Sequence, residues 1–199
     1  MSQIKKKRQD QFFHGDLAHS LIQLAVIEIA STGSVDFSLR ELAKKLGVSH
    51  TAAYKHFNEK QALLETIALQ GFLNLGNHFQ QAIKKNDKST STKPASKLHR
   101  LGKSYIEFAL NNPGYYRVMF GIKLNKEKNR ALHEASIQAF LILLDTIGNR
   151  TKENVKKAML VWSIVHGWVT LRLEGQITGL AEQFKTSESE IEDYLNDSF

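Results

Sequence analysis

The side chains best suited to chemistry fall into two groups. The first is dense: Ser38, Arg40, Ser49, His50, Thr51, Ala52, Tyr54, Lys55, His56 and Lys60. It mixes cations, hydroxyls and ring donors with small residues that let a partner come close, which suits recognition of a polar, anionic surface. The second is spread along the chain: Tyr105, Phe108, Tyr116, Arg117, Met119, Phe140, Trp162, Ser163 and His166. Aromatic and apolar groups with a few polar atoms among them make up pockets for small organic molecules. Each also has a plainer reading as core, because an aromatic stripe at helical spacing packs an interior. His166 reads as a satisfied core histidine before a ligand contact or a metal ligand. Arg117 reads as a partner for a carboxylate such as Glu107 or Glu174.

Bond-making chemistry has no comparable signal. The sequence carries no P-loop, GxGxxG, HExxH or GxSxG pattern. It has no Cys, so a disulfide framework, a thiolate metal site and a Cys nucleophile are excluded. The eight His are scattered, and Glu190 with Asp193 reads as a solvated face. No enzyme activity, metal or cofactor is expected.

Positioning these groups falls to helices. Two Pro in 199 residues, no strand-like alternation and repeated 3.6-residue periodicity predict an all-α chain. Helices are expected at about residues 16–31, 39–46, 50–57, 59–84, 95–111, 113–120, 126–148 and 151–179, with a short last one ending near 196. Ser38 and Glu41 form a capping-box pair, as do Ser187 and Glu190. Gly47 ends the helix that Ser38 starts, and Ser49 caps the next. Helix, short Gly-containing turn, helix is the helix-turn-helix signature. In that motif the second helix enters the major groove of DNA and reads base edges with its first residues. Thr51 and Ala52 can meet a thymine methyl, and His50 and Lys55 can donate to guanine. Ser38, Tyr54, His56 and Lys60 suit phosphate, and Arg40 suits phosphate or a base. His56 reads equally well as a helix-bracing hydrogen bond. Leu39, Leu42, Leu46, Val48, Ala53 and Phe57 read as core.

The string Leu39-Arg40-Glu41-Leu42-Ala43, then Leu46-Gly47-Val48-Ser49, then Ala53-Tyr54-Lys55-His56-Phe57-Asn58-Glu59-Lys60-Gln61-Ala62-Leu63-Leu64 resembles the DNA-binding domain of TetR/AcrR-type transcriptional regulators. The resemblance covers about residues 16–66. It implies that Tyr54 and Lys60 grip phosphates, that Ser49, His50, Thr51 and Ala52 read bases, and that Phe57 is core. It further implies a homodimer on a palindromic double-stranded DNA operator, acting most often as a repressor, and a C-terminal domain that senses a small molecule. Trp162-Ser163-Ile164-Val165-His166-Gly167-Trp168 resembles the Trp-His-Gly pattern of one TetR-type C-terminal domain. Asn112-Pro113-Gly114-Tyr115-Tyr116-Arg117-Val118-Met119-Phe120 resembles a companion segment.

The expected organisation is a flexible basic arm at residues 1–15, a three-helix DNA-binding domain at 16–60 and a ligand-sensing, dimerising helical bundle at 61–199. Residues 151–179 are apolar nearly all round, which predicts burial on two faces. Val155, Met159, Trp162, His166, Val169 and Leu173 would line one face, and Leu160, Ile164, Trp168 and Leu171 the other. With the helix at 126–148 they would form a four-helix seam between two subunits, where Gly167 admits a close neighbour. The net charge is +7, but residues 1–60 carry only +3 of it; residues 61–150 carry +7 and 151–199 carry −3. Bulk charge therefore favours an anionic partner without locating it. No apolar run is long enough for a membrane span, and no secretory signal is read, so a cytoplasmic protein is expected. The rival function is a ligand-independent architectural or nucleoid-type DNA-binding dimer, which would show weak sequence preference and no effector.

Overall fold

The computed structural model describes residues 16–84, 94–125 and 128–197. The basic arm at 1–15 and most of the polar stretch at 84–96 lie outside the described residues. Every regular element described is a helix: α1 Leu17–Thr32, α2 Leu39–Lys45, α3 His50–His56, α4 Lys60–Lys84, α5 Pro94–Asn111, α6 Pro113–Gly121, α7 Arg130–Ile147, α8 Lys152–Leu173, α9 Gln176–Gln183 and α10 Glu188–Asp197. None of them is long and apolar enough to cross a membrane.

The chain divides into two compact units. The first comprises residues up to Gly71 together with Gly114–Leu132; the second comprises Phe72–Pro113 and the chain from His133 onward. The division between the units falls inside α4, and the first unit includes α6.

In the first unit, local signals stop and start each helix. Asp16 caps α1 by accepting from the His19 amide at 3.0 Å. Gly33 ends it in the left-handed region, at φ 71°, with its N–H on the Ile29 carbonyl. Ser38 and Glu41 cap α2 reciprocally, and Gly47, at φ 72°, makes the tight turn to α3. α1, α2 and α3 pack against one another around Leu21, Ala25, Ile29, Leu39, Leu42, Ala43 and Ala53, all essentially closed to solvent. Phe57 is buried as expected, whereas Leu46 and Val48 are only half-buried.

α6 is held to this unit by close backbone approach. A Cβ on Gly114 would lie 2.2 Å from the Val26 carbonyl oxygen, and one on Gly71 would lie 2.5 Å from Met119 Sδ. Arg117 Nη1 donates to the Ala30 carbonyl at 3.1 Å and to the Ile29 carbonyl at 3.5 Å, in the last turn of α1, where helical partners run out. Gln23 donates to the Tyr115 hydroxyl at 3.4 Å, and that hydroxyl donates to Gln70 at 3.3 Å. Tyr115 thus joins α1, α4 and α6.

In the second unit α8 packs on α5, and α9 and α10 close over them. Phe79, Leu101, Tyr105, Phe108, Leu144, Val165 and Val169 form its interior. The long helix expected at 151–179 is two helices. It breaks at Glu174 and Gly175, where Gly175 takes φ 73°. The capping box at Ser187 and Glu190 is present, and Arg172 pairs with Glu188 at 2.8 Å and Glu192 at 2.5 Å to fasten α10 to α8.

The crowding at Gly114 sets a test. Gly114→Ala must displace the α1 backbone and is expected to cost on the order of 1–3 kcal/mol in urea denaturation. Gly121→Ala, at the other end of the same helix with nothing within 4 Å, is expected to cost nothing measurable, since Ala is the better helix former.

Candidate nucleic-acid interface and buried aromatic cluster

The seven-residue α3 is too short to hold itself together in water. Its N-terminus is closed by Ser49, whose hydroxyl accepts from the Ala52 amide at 3.2 Å. Its inner side is anchored by Ala53, and Phe57 seals its C-terminal end. The outer side is left open. His50 and Tyr54 stand one turn apart, as do Thr51 and Lys55, and all four are exposed; Ala52 is half-buried. His56 is exposed on the flank. Tyr54 keeps 45% of its surface in solvent, a large apolar ring held out from a folded unit. Arg40, on α2, is exposed as well.

Three residues assigned to DNA from sequence also make hydrogen bonds within the protein. The Ser38 hydroxyl accepts from the Glu41 amide at 3.2 Å and lies 2.9 Å from Glu41 Oε2 as a donor, and the Ser38 amide donates to the same carboxylate at 2.7 Å. These bonds, and after them the charges of Lys45 and Lys60, hold the Glu41 carboxyl below its ordinary pKa. The cap's ionic part is therefore present above the usual carboxylate range and fades as pH falls through the lowered value. Ser49 is occupied by its cap. Lys60 Nζ donates to the Val35 carbonyl at 2.9 Å and sits 5.4 Å from the centre of the Phe37 ring.

The ligand candidates separate. Tyr116, Arg117 and Met119 belong to the first unit: Met119 packs on Gly71, Tyr116 meets the Phe120 ring, and Arg117 donates to carbonyls at the end of α1. Ser163 is exposed, with its hydroxyl donating to the Met159 carbonyl. The rest converge in the second unit. The Tyr105 hydroxyl and His166 Nδ1 share a 2.8 Å hydrogen bond. Phe79 stacks on Tyr105 with centroids 6.3 Å apart. Trp162 stands edge-on to His166 at 5.7 Å and to Phe140 at 6.2 Å. His78 stands edge-on to Phe108 at 5.4 Å. Burial lowers the His166 pKa below its ordinary 6.5, so the ring is neutral at neutral pH. Sequence reasoning missed Phe79, whose only signal is its place on the apolar side of α4.

α8 also divides differently from the expected faces. Met159 is exposed and Trp168 is buried, so the outward stripe is Leu160, Ile164 and Leu171 with Met159 and Ser163 on its flank. Gly167 lies along that stripe, and a Cβ there would meet nothing within 4 Å of this chain.

A capped helix-turn-helix carrying an exposed polar helix is the geometry on which comparison with known proteins turns. Residues 21–67 match the family described as bacterial regulatory proteins, tetR family, and residues 98–193 match the tetracyclin repressor-like C-terminal domain. The chain belongs to the TetR family. It is a transcriptional regulator with a helix-turn-helix DNA-binding domain. The uncharacterized HTH-type transcriptional regulator YobS of Bacillus subtilis (strain 168) is 29% identical over 157 residues, which is 78% of each chain. A solved structure of a protein of unknown function from Rhodococcus sp. RHA1 is similar at TM-score 0.74 and 25% identity, covering 93% of this chain and 94% of that one. The TetR-family transcriptional regulator PfmR from Thermus thermophilus shares the fold at TM-score 0.61 and 20% identity, covering 75% of this chain and 84% of that one. The family match at 98–193 spans both Tyr105 and His166, so that hydrogen-bonded pair lies in the TetR-type C-terminal domain.

Burial of His166 makes a pH prediction. Its lowered folded pKa contributes stability above the unfolded value of 6.5, and that contribution is lost as pH falls through the folded value. In an NMR titration the His166 ring is expected to protonate below 6.5. Trp162→Ala, which opens one side of the site to water, is expected to bring the midpoint back toward that value.

Proposed function

We propose that this TetR-family regulator is a homodimeric repressor that reads a palindromic operator with α3 and releases it on binding a small molecule. The observation that carries the DNA half is the open face of α3. His50 and Thr51 stand at its N-terminal end, where a recognition helix meets base edges. Tyr54, Lys55 and His56 follow, in reach of the flanking phosphates, and Arg40 on α2 adds a cation beside them. Ser38, Ser49 and Lys60 also act within the protein, as caps and as a tie.

The dimer half is supported by Leu160, Ile164 and Leu171. They repeat at helical spacing on α8 and are 62%, 41% and 45% exposed. Ile137 on α7 is 41% exposed, and a second copy of the same two helices would cover it and the α8 stripe in an isologous contact. Trp168, one turn from Ile164 and Leu171 on the same helix, is buried and has an indole N–H without a hydrogen-bond partner among the described residues. The ligand half is supported by the neutral Tyr105–His166 pair ringed by Phe79, Phe140 and Trp162. Polar atoms among aromatic walls suit a largely apolar effector.

The DNA half is tested with a duplex selected by the wild-type chain from a random library. Tyr54→Ala is expected to weaken binding to selected and unselected duplexes alike. His50→Ala or Thr51→Ala is expected to relax preference at individual base pairs by about 1–3 kcal/mol. Failure to enrich any sequence favours the architectural reading and overturns this one. The dimer half is tested by sedimentation: the wild type is expected to run as a dimer, and Ile164→Glu, which places a charge in the seam, as a monomer. A monomeric wild type contradicts the proposal.

A further inference from the structure

Burial does little to hold α9 and α10 on the second unit. Of α9 only Ala181 is buried, while Leu180 and Phe184 lie in solvent. None of the side chains described in α10 is buried, and a helix this short is not stable alone. A guanidinium fastens them. Arg172, near the end of α8, pairs through Nε with Glu188 at 2.8 Å and through Nη1 with Glu192 at 2.5 Å. The two carboxylates stand one turn apart on α10, and all three side chains are half-buried. Thr178 on α9 donates to Glu188 as well, so the same carboxylate ties α9 to α10.

Trp168 precedes Arg172 by one turn. It is 7% exposed, and its indole N–H has no hydrogen-bond partner among the described residues. Four residues stand one turn from it on α8. Ile164 and Leu171 are exposed, whereas Val165 is buried and Arg172 half-buried. The cover over the ring therefore comes from the Arg172 side, where α9 packs on α8 and the two carboxylates bring in α10. A buried donor without an acceptor raises the free energy of the closed arrangement. Opening repays that cost, because water or a bound molecule then supplies the acceptor.

We propose that α9 and α10 form a lid over Trp168, latched by Arg172, and that opening it exposes a binding site for an uncharged apolar molecule whose one hydrogen-bond acceptor takes the indole N–H. Ile164, Val165 and Leu171 flank the ring with aliphatic surface, which suits an apolar body. His166 and Trp168, two residues apart, face different sides of α8, so this site stands apart from the Tyr105–His166 pair.

The test uses the full-length chain, isotope-labelled for NMR, with its two indole N–H signals assigned by Trp162→Phe. Arg172→Met keeps the stem and removes both ion pairs. It is expected to speed water exchange of the Trp168 indole proton and of the α10 amides about tenfold, with the amides of α5 unchanged. Glu188→Gln combined with Glu192→Gln, which leaves Arg172 in place, is expected to do the same and replaces Arg172→Met if that variant unfolds. The ligand probe is cyclohexanone, an apolar ring with one carbonyl. It is expected to shift the Trp168 indole signal saturably. It should bind the latch variants more tightly than the wild type by the factor by which exchange rises, because affinity scales with the open fraction. Unchanged exchange at α10 and at the indole refutes the latch. Faster exchange at α10 alone refutes the lid over Trp168. Equal cyclohexanone affinity in all the proteins refutes the gating, and the absence of a saturable shift in any of them overturns the binding site.

Discussion

The first unit depends on holding a two-turn helix still while leaving one side of it bare. α3 cannot recruit stability from its own length, because nucleation costs more than seven residues return. It is held by a cap at each end and by a small inner surface. Ser49 satisfies an amide at its start, Ala53 lets α1 and α2 come close, and Phe57 closes the far end. Ala at position 53 follows from this constraint, since a larger side chain would lift the helix off its supports. The helices beneath it face the same demand. α2 is also seven residues long, and it starts at the reciprocal Ser38–Glu41 cap, which gains from the ionised carboxylate.

α6 extends the support from the other direction. Its contact with α1 is backbone against backbone at Gly114, with Arg117 on the terminal carbonyls of α1 and Tyr115 bridging Gln23 and Gln70. These are polar and steric constraints, which specify one register; apolar contacts alone tolerate repacking. The second unit is organised otherwise. Its interior centres on one neutral hydrogen-bonded pair, Tyr105 and His166, among rings. Burial disfavours the imidazolium, so the pair is a polar site without charge.

Much of this was legible in the residues. The capping boxes, the Gly47 turn and the apolar positions of α1 to α3 are local signals, and local signals set helix boundaries in this unit. The exposed face of α3 was legible for the same reason. What local signals do not determine depends on tertiary contacts. Lys60 and Ser38 have the chemistry of phosphate ligands, and only the positions of Val35, Phe37 and Glu41 show which protein groups they also meet. Tyr116, Arg117 and Met119 have the chemistry of a pocket, yet Gly114 and Gly71 draw their helix onto α1 and α4. On α8 the pattern is apolar all round, so periodicity could not tell Met159, which is outside, from Trp168, which is inside. Gly175 broke the expected long helix because a single Gly is compatible with continuation as well as with a stop.

In the proposed function a short helix, stabilised by its caps and its neighbours, presents His50, Thr51, Tyr54 and Lys55 to DNA. Hydrogen exchange of the full-length protein, with and without a duplex it has selected, tests this most directly. Added protection is expected to concentrate on α3 and on the start of α2, with the amides of 50–56 slowed most. Protection confined to the second unit, with α3 exchanging as in the free protein, would contradict it.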